Sequence, residues 1–138
     1  MENLNQLIDG IEYGPTANKM AYLQDLNDRV EFKTLTNEEL EHCATFLINT
    51  VLYESDKGLV REIFRVLENI FLANSAINVS LDPLIEEMEN NEMLLANTLV
   101  LIPFSSKTAY ISLVEKYQNH TDALIRKNAT YALRSLKK

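Results

Sequence analysis

Few residues in this chain have the type and spacing needed for chemistry, and the first of them are Glu39 and His42. Glutamate and histidine three positions apart on a helix form half of a dimetal carboxylate site. A complete site needs a second such pair and two further inward-facing glutamates. The only other histidine, His120, has Tyr117 at that spacing, so the second pair is missing. We therefore expect His42 and its acidic neighbours to lie on a solvated helix face, with no metal or other cofactor.

Nucleophilic catalysis is also disfavoured by the sequence. Cys43, the single cysteine, directly follows His42, and neighbouring side chains on a helix point about 100° apart, too far to act as nucleophile and base. Cys43 shares the apolar spacing of Leu40 and Leu47, which indicates a small buried side chain. His120 is predicted in a turn without a catalytic partner, and the three glycines are too few for a phosphate cradle. We expect no enzymatic activity.

Charge is distributed unevenly along the chain. The 138 residues include 20 acidic and 13 basic ones, a net charge of −7. Residues 1–100 contain 18 acids and 6 bases, whereas residues 101–138 contain 2 acids and 7 bases. Between Arg65 and Lys107 there is no basic residue at all. This base-free stretch is either a solvated acidic face or a surface that steers a basic partner.

The composition also excludes several partners and locations. A net negative charge disfavours direct binding to nucleic acid or to an anionic membrane, because both require a basic surface. The longest apolar runs are shorter than the roughly 18 to 20 residues needed to cross a bilayer. A single cysteine cannot form an internal disulfide and no secretory leader is recognisable, so the sequence predicts a cytoplasmic protein.

Nearly the whole chain is predicted to be helical. Thr36, with Glu39 three residues later, forms a capping box, and apolar residues recur behind it at steps of three and four. The segment 59–71 is apolar over a wide stripe and is expected to form a central helix. Extended alternation and two-residue hairpin turns are missing from the sequence, which disfavours strands. The expected N-caps of later helices are Ser55, Asp82 and Thr121, and the expected helix breakers are Gly10, Gly14 and Pro103.

Helices taken in order pair into hairpins. Leu59-Val60-Arg61 and Leu124-Ile125-Arg126 each enter an apolar helix and lie 65 positions apart, about twice the length of common helical-hairpin repeats. A single hairpin cannot bury its apolar face alone, whereas stacked hairpins share a core. We predict a single all-α domain, residues 1–138, with a closed helical bundle as the alternative architecture. The expected hairpins are residues 2–31, 36–73, 82–102 and 105–136.

Residues 122–133 resemble the second helix of a HEAT repeat. Asp122 stands in the turn, Ile125-Arg126 forms the hydrophobic–arginine pair, and alanine and leucine follow at helical steps. Residues 56–67 are similar but carry phenylalanine in place of the small residue, and residues 82–102 depart further. The resemblance implies antiparallel hairpins stacked as a short right-handed solenoid. HEAT and armadillo proteins are mostly protein-binding scaffolds, so it also implies a protein partner.

In size, charge and fold the chain is similar to small bacterial immunity proteins of the contact-dependent inhibition type. A nuclease toxin has a basic cleft for phosphate, and an acidic protein can occupy that cleft in place of nucleic acid. Opposite charge also raises the association rate. The expected function is therefore neutralisation of a basic nuclease-type toxin, and the alternative is a regulatory adaptor that binds an endogenous protein or peptide. The expected partner contacts are Glu62, Glu68, Glu86, Glu87, Glu89 and Glu92.

The C-terminal end of the chain is basic. Cations at the end of the last helix oppose the negative pole of its dipole. They also complement the acidic part of a neighbouring copy, which would allow weak self-association. These basic residues are Lys116, Arg126, Lys127, Arg134, Lys137 and Lys138.

Overall fold

The computed structural model describes residues 3–74 and 76–138, and within them the chain forms helices and no strand. The prediction of an all-α fold is therefore confirmed for the described part. Two short 3₁₀ turns, Met88–Asn90 and Thr108–Tyr110, accompany the α-helices. The helices are α1 Leu4–Tyr13, α2 Thr16–Glu31, α3 Asn37–Val51, α4 Lys57–Ala73, α5 Asp82–Glu87, α6 Glu92–Ser105, α7 Ile111–Glu115 and α8 Ala123–Leu136.

Side-chain caps start several of these helices. The capping box at α3 is confirmed, since the Glu39 backbone N–H donates to Thr36 Oγ1 at 3.1 Å and the Thr36 N–H donates to Glu39 Oε1 at 2.9 Å. Asn3 and Gln6 form a second box at α1 that the sequence reading missed.

The other predicted N-caps are each displaced by one residue. Asp56, rather than Ser55, caps α4, and Asp122, rather than Thr121, caps α8. The physical reason is that both aspartates accept backbone N–H groups of the first helical turn. Asp82 is also not a cap, because it already lies in the first turn of α5 after Leu81.

Of the predicted helix breakers, Gly14 acts as expected, since α1 ends at Tyr13 and Gly14 is its C-cap, whereas Gly10 and Pro103 lie inside helices. Helix α1 continues through Gly10, where a Cβ atom would lie 2.6 Å from Cε2 of Tyr22, so glycine at this position admits the tyrosine ring of α2. Pro103 lies inside α6, which ends at Ser105 with Ser106 in the left-handed conformation. Leu101 and Ile102, which directly precede the proline, are buried. Such tertiary packing offsets the free-energy cost of a proline near a helix end.

The chain divides into two compact units, Met1–Ser80 and Leu81–Lys138. In unit 1, α1 packs against α2, α3 against α4, and α2 against α4. Asn69 Nδ2 on α4 donates to Asn27 Oδ1 on α2 at 2.7 Å, and Val30 lines the same cavity as Asn74. Because the hydrogen bond and the shared cavity both bring the C-terminal parts of the two helices together, α2 and α4 run in the same direction. Helix α4 buries nine of its residues and is central to unit 1, as predicted.

In unit 2, α5 packs against α6, α7 against α8, and α6 against α8. The Tyr110 hydroxyl donates to Asp82 Oδ1 at 2.7 Å, and the Tyr117 hydroxyl donates to Glu89 Oε1 at 3.2 Å. Both hydrogen bonds join residues 28 positions apart, so the segment that contains α5 and the segment that contains α7 lie in parallel register. The solvent-shielded core of this unit includes Leu84, Leu99, Val114 and Ala129.

Candidate protein-binding surfaces

Four of the predicted contact residues lie on one short stretch of unit 2. Glu86 and Glu87 are in the last turn of α5, Glu89 is in the 3₁₀ turn that follows, and Glu92 is the first residue of α6. All four are exposed. We call these four residues the acidic connector. The local chain path alone brings them together, because the two helices are separated by little more than one turn.

Glu89 differs from the rest of the acidic connector because it is already paired. Lys116 Nζ donates to Glu89 Oε1 at 2.7 Å, and the Tyr117 hydroxyl donates to the same oxygen. The hydrogen bond and the charge of Lys116 lower the pKa of the Glu89 carboxyl, with a smaller contribution from Tyr117. Within the acidic connector, the residues without an ion pair to the described part of the chain are therefore Glu86, Glu87 and Glu92.

The two remaining predicted contacts belong to α4 of unit 1. Glu62 is buried, with 9% of its surface exposed, and its Oε1 atom has no hydrogen-bond partner among the described residues. Its Oε2 atom lies 3.7 Å from Nη1 of Arg65. Glu68 is half-buried. The structure thus places Glu62 in the interior, whereas the sequence placed it on an exposed binding surface, because the apolar stripe of α4 is wide enough to include it.

Unit 1 has an acidic surface that the sequence analysis missed. Helices α1 and α3 contain five acidic residues and no lysine or arginine, and they pack against each other. A cavity of about 390 Å³ lies beside the start of both helices and is lined in part by Glu38, Glu39 and His42. The signal was present in the composition of each helix, but it is recognisable only once the two segments are known to be neighbours. We call the surface formed by helices α1 and α3 the α1–α3 face.

Exposed tyrosines accompany the α1–α3 face at the other end of the helices. A second cavity of about 440 Å³ is lined by Glu12, Phe46, Tyr53 and Glu54 among others, with Lys19 of α2 as its one cation. Tyr53 is 89% exposed, and Tyr13 at the end of α1 is 78% exposed. Tyrosine is enriched at the energetic centres of protein interfaces because it combines a large apolar ring with a hydrogen-bonding hydroxyl.

The basic residues of the last helix surround an open groove in unit 2. This groove has a volume of about 510 Å³, and we call it the basic groove. Tyr131 within it is 65% exposed. Its lining residues are Gln118, Ala123, Arg126, Lys127, Thr130, Tyr131 and Arg134.

Three of the residues considered for chemistry are hydrogen-bonded within the chain or buried. Glu39 Oε1 is committed to the α3 cap, and His120 Nδ1 accepts the backbone N–H of Asp122 at 3.0 Å. Cys43 is completely buried, and this burial, with a smaller contribution from Glu39, raises the pKa of its thiol to about 12. In the described part of the chain, no group of three or more histidine, cysteine, aspartate or glutamate residues is arranged to hold a metal ion.

The helices found in the described residues are too short or too polar to cross a membrane. Comparisons with protein-family models, with curated proteins and with solved structures found no match to this chain.

Proposed function

We propose that this chain is a non-catalytic module that binds a basic protein, and that it acts as an immunity protein against a nuclease-type toxin. The observation that carries the proposal is the absence of lysine and arginine from α1 and α3, whose exposed acids are Asp9, Glu12 and Glu38. A surface with one sign of charge attracts an oppositely charged partner over a Debye length of about 8 Å at physiological ionic strength. Tyr13 and Tyr53 supply contact area beside that charge.

The acidic connector supplies further contacts in this proposal. Glu86, Glu87 and Glu92 are exposed carboxylates that can replace the phosphates normally held in a nuclease cleft. Glu89 serves mainly to hold Lys116, and buried Glu62 is not used. Glu68, which is half-buried, contributes at most through its charge.

The architecture we infer is a HEAT-like stack of hairpins forming a right-handed solenoid. Its support comes from within each unit. The parallel register of α2 with α4, and the constant offset of the Tyr110–Asp82 and Tyr117–Glu89 hydrogen bonds, are typical of consecutive hairpins that repeat one packing arrangement. Such stacks commonly present extended binding surfaces.

Two charge-reversal variants test the proposed function. The first is E86K/E87K/E92K in the acidic connector, and the second is D9K/E12K/E38K on helices α1 and α3. Both change the net charge equally, so each is the control for the other. The partner is identified by capture with the wild-type chain, and the proposal expects it to be a nuclease-domain protein encoded beside this chain. We expect at least one variant to lower the association rate constant by about tenfold or more at low salt.

The outcome that contradicts this function is clear. If neither variant changes the association rate or the inhibition of nuclease activity, electrostatic occlusion of a basic cleft is wrong. Circular dichroism and thermal unfolding of both variants establish that a lost interaction is not lost folding.

A regulatory adaptor is the second candidate, and the two cavities beside α1 and α3 favour it. Open cavities of about 390 and 440 Å³ at the ends of two neighbouring helices could hold side chains of an endogenous peptide. The adaptor would be supported over the immunity protein if the wild-type chain captures a protein without a nuclease domain. That capture should be lost when Tyr53 is changed to alanine.

A further inference from the structure

The outward face of α8 combines cations with an exposed aromatic ring. Ile125, Ala129 and Leu133 form the buried side of this helix. Lys127, Tyr131 and Arg134 follow each other at steps of four and three, so they lie on one exposed side of it. This side forms most of the basic groove.

The cations of the basic groove lack acidic partners within the described residues. The ion pairs found there are Arg65 with Glu62 and Lys116 with Glu89, and neither involves α8. No carboxylate lines the groove. The guanidinium of Arg126 is positioned by the backbone, because its Nη1 donates to the carbonyl oxygens of His120 at 2.7 Å and Thr121 at 3.0 Å. The groove thus has three cations, one of them held in place by the backbone, and no acidic residue in its lining.

Acidic residues that could complement the charge of this groove are present on the same unit. Unit 2 contains seven acidic and seven basic residues, so its net charge is zero. The two signs are nevertheless separated along the chain, with five of the acids at residues 82–92 and all of the bases at residues 107–138. Glu86, Glu87 and Glu92 of the acidic connector are exposed and have no ion pair in the described part, as is also true of Lys127 and Arg134.

We propose that the basic groove binds the acidic connector of a second copy of this chain. Each copy offers both surfaces, so two copies related by a twofold axis can make the contact twice and close as a dimer. Tyr131 would lie at the contact and add apolar area between charged groups. Because the contact uses Glu86 and Glu87, a basic partner of the proposed function would compete with the second copy. The self-association itself depends only on this chain and is tested without that partner.

The test is analytical ultracentrifugation of the full chain over a wide range of concentrations. At about 0.05 M salt we expect reversible self-association, and at about 1 M salt, where the Debye length is about 3 Å, we expect the monomer. The variants K127E/R134E and E86K/E87K, each examined alone, are expected to weaken self-association by about tenfold or more, because each replaces attraction with repulsion.

A charge swap makes the test specific to these two surfaces. In an equal mixture, the reversed groove of K127E/R134E faces the reversed connector of E86K/E87K, and both contacts become complementary again. We expect the mixture to associate although neither variant does so alone. K57E/R61E on exposed α4 positions of unit 1 is the control, and its self-association should match that of the wild-type chain.

Three results would overturn the proposal. They are a wild-type chain that is monomeric at low salt and high concentration, self-association that survives K127E/R134E, and a mixture that stays monomeric. A failure of toxin binding would leave these results unchanged, so the dimer and the immunity function are judged separately.

Discussion

Tyr110 and Tyr117 show how single residues couple the acidic and basic segments of unit 2. Both rings are buried, and their hydroxyls donate to Asp82 and Glu89. Burial is the largest cause that raises the pKa of each tyrosine to about 12, and the neighbouring carboxylates add to it. Each ring therefore remains protonated in the folded chain at pH values where it would ionise in the unfolded chain.

This shift predicts alkaline destabilisation. A folded-state pKa above the unfolded value of 10.0 means that the stabilisation is complete below about pH 10 and is lost as the pH rises towards about 12. We expect the free energy of unfolding, measured with urea, to fall over this window. The double variant Y110F/Y117F should be less stable at neutral pH but show a shallower fall, whereas Y131F, which changes an exposed tyrosine, should follow the wild type. If the free energy of unfolding falls with pH equally steeply in the wild type and in both variants, Tyr110 and Tyr117 are not the cause of the alkaline destabilisation.

At the scale of the element, several helix starts are decided by local hydrogen bonds, as at α1, α3, α4 and α8. The Thr36–Glu39 capping box was recognisable because both partners lie within four residues of each other. Helix α6 continues through Pro103 where Leu101 and Ile102 are buried, and α1 continues through Gly10 where the ring of Tyr22 packs against it. Local sequence patterns carry no information about those neighbours.

The capping box predicts the effect of a single substitution. Thr36→Ala removes the acceptor of the Glu39 N–H and should lower the free energy of unfolding by about 1 kcal/mol. Thr45→Ala is the matched control, because Thr45 is exposed within the same helix and alanine is the better helix former there. We expect it to be neutral or slightly stabilising in urea titrations. A loss of stability at Thr45 as large as at Thr36 would argue against a specific contribution of the cap.

At the scale of the whole molecule, the two units separate the charge. Unit 1 holds 13 acids and 6 bases, so it accounts for the net charge of −7, and unit 2 is neutral. The sequence reading divided the chain near residue 100 and placed the acidic binding site at residues 62–92. Division at Ser80 instead shows that the excess acid belongs to unit 1, while unit 2 combines equal charges of both signs.

The two units also give a test of the single domain predicted from the sequence. Each unit has its own buried apolar residues, so we expect the separate fragment 1–80 to be helical and to unfold cooperatively. The smaller fragment 81–138 should be less stable, since short chains bury a smaller share of their surface. Circular dichroism and thermal unfolding of both fragments check this. If fragment 1–80 is unfolded, the 138 residues form one cooperative domain as predicted.

The sequence by itself determined the helical class, most helix positions and the acidic balance, because helical periodicity, caps and composition are properties of neighbouring residues. Only the tertiary structure decided which acids are available for binding. Glu62 has the same side chain as Glu86, but the apolar stripe of α4 buries the first and leaves the second exposed. Likewise, α1 and α3 make one acidic face only because their hairpins pack together. The burial of a side chain and the identity of its neighbours arise from contacts between distant segments. Those contacts decide which of the charged residues lie together on an exposed surface.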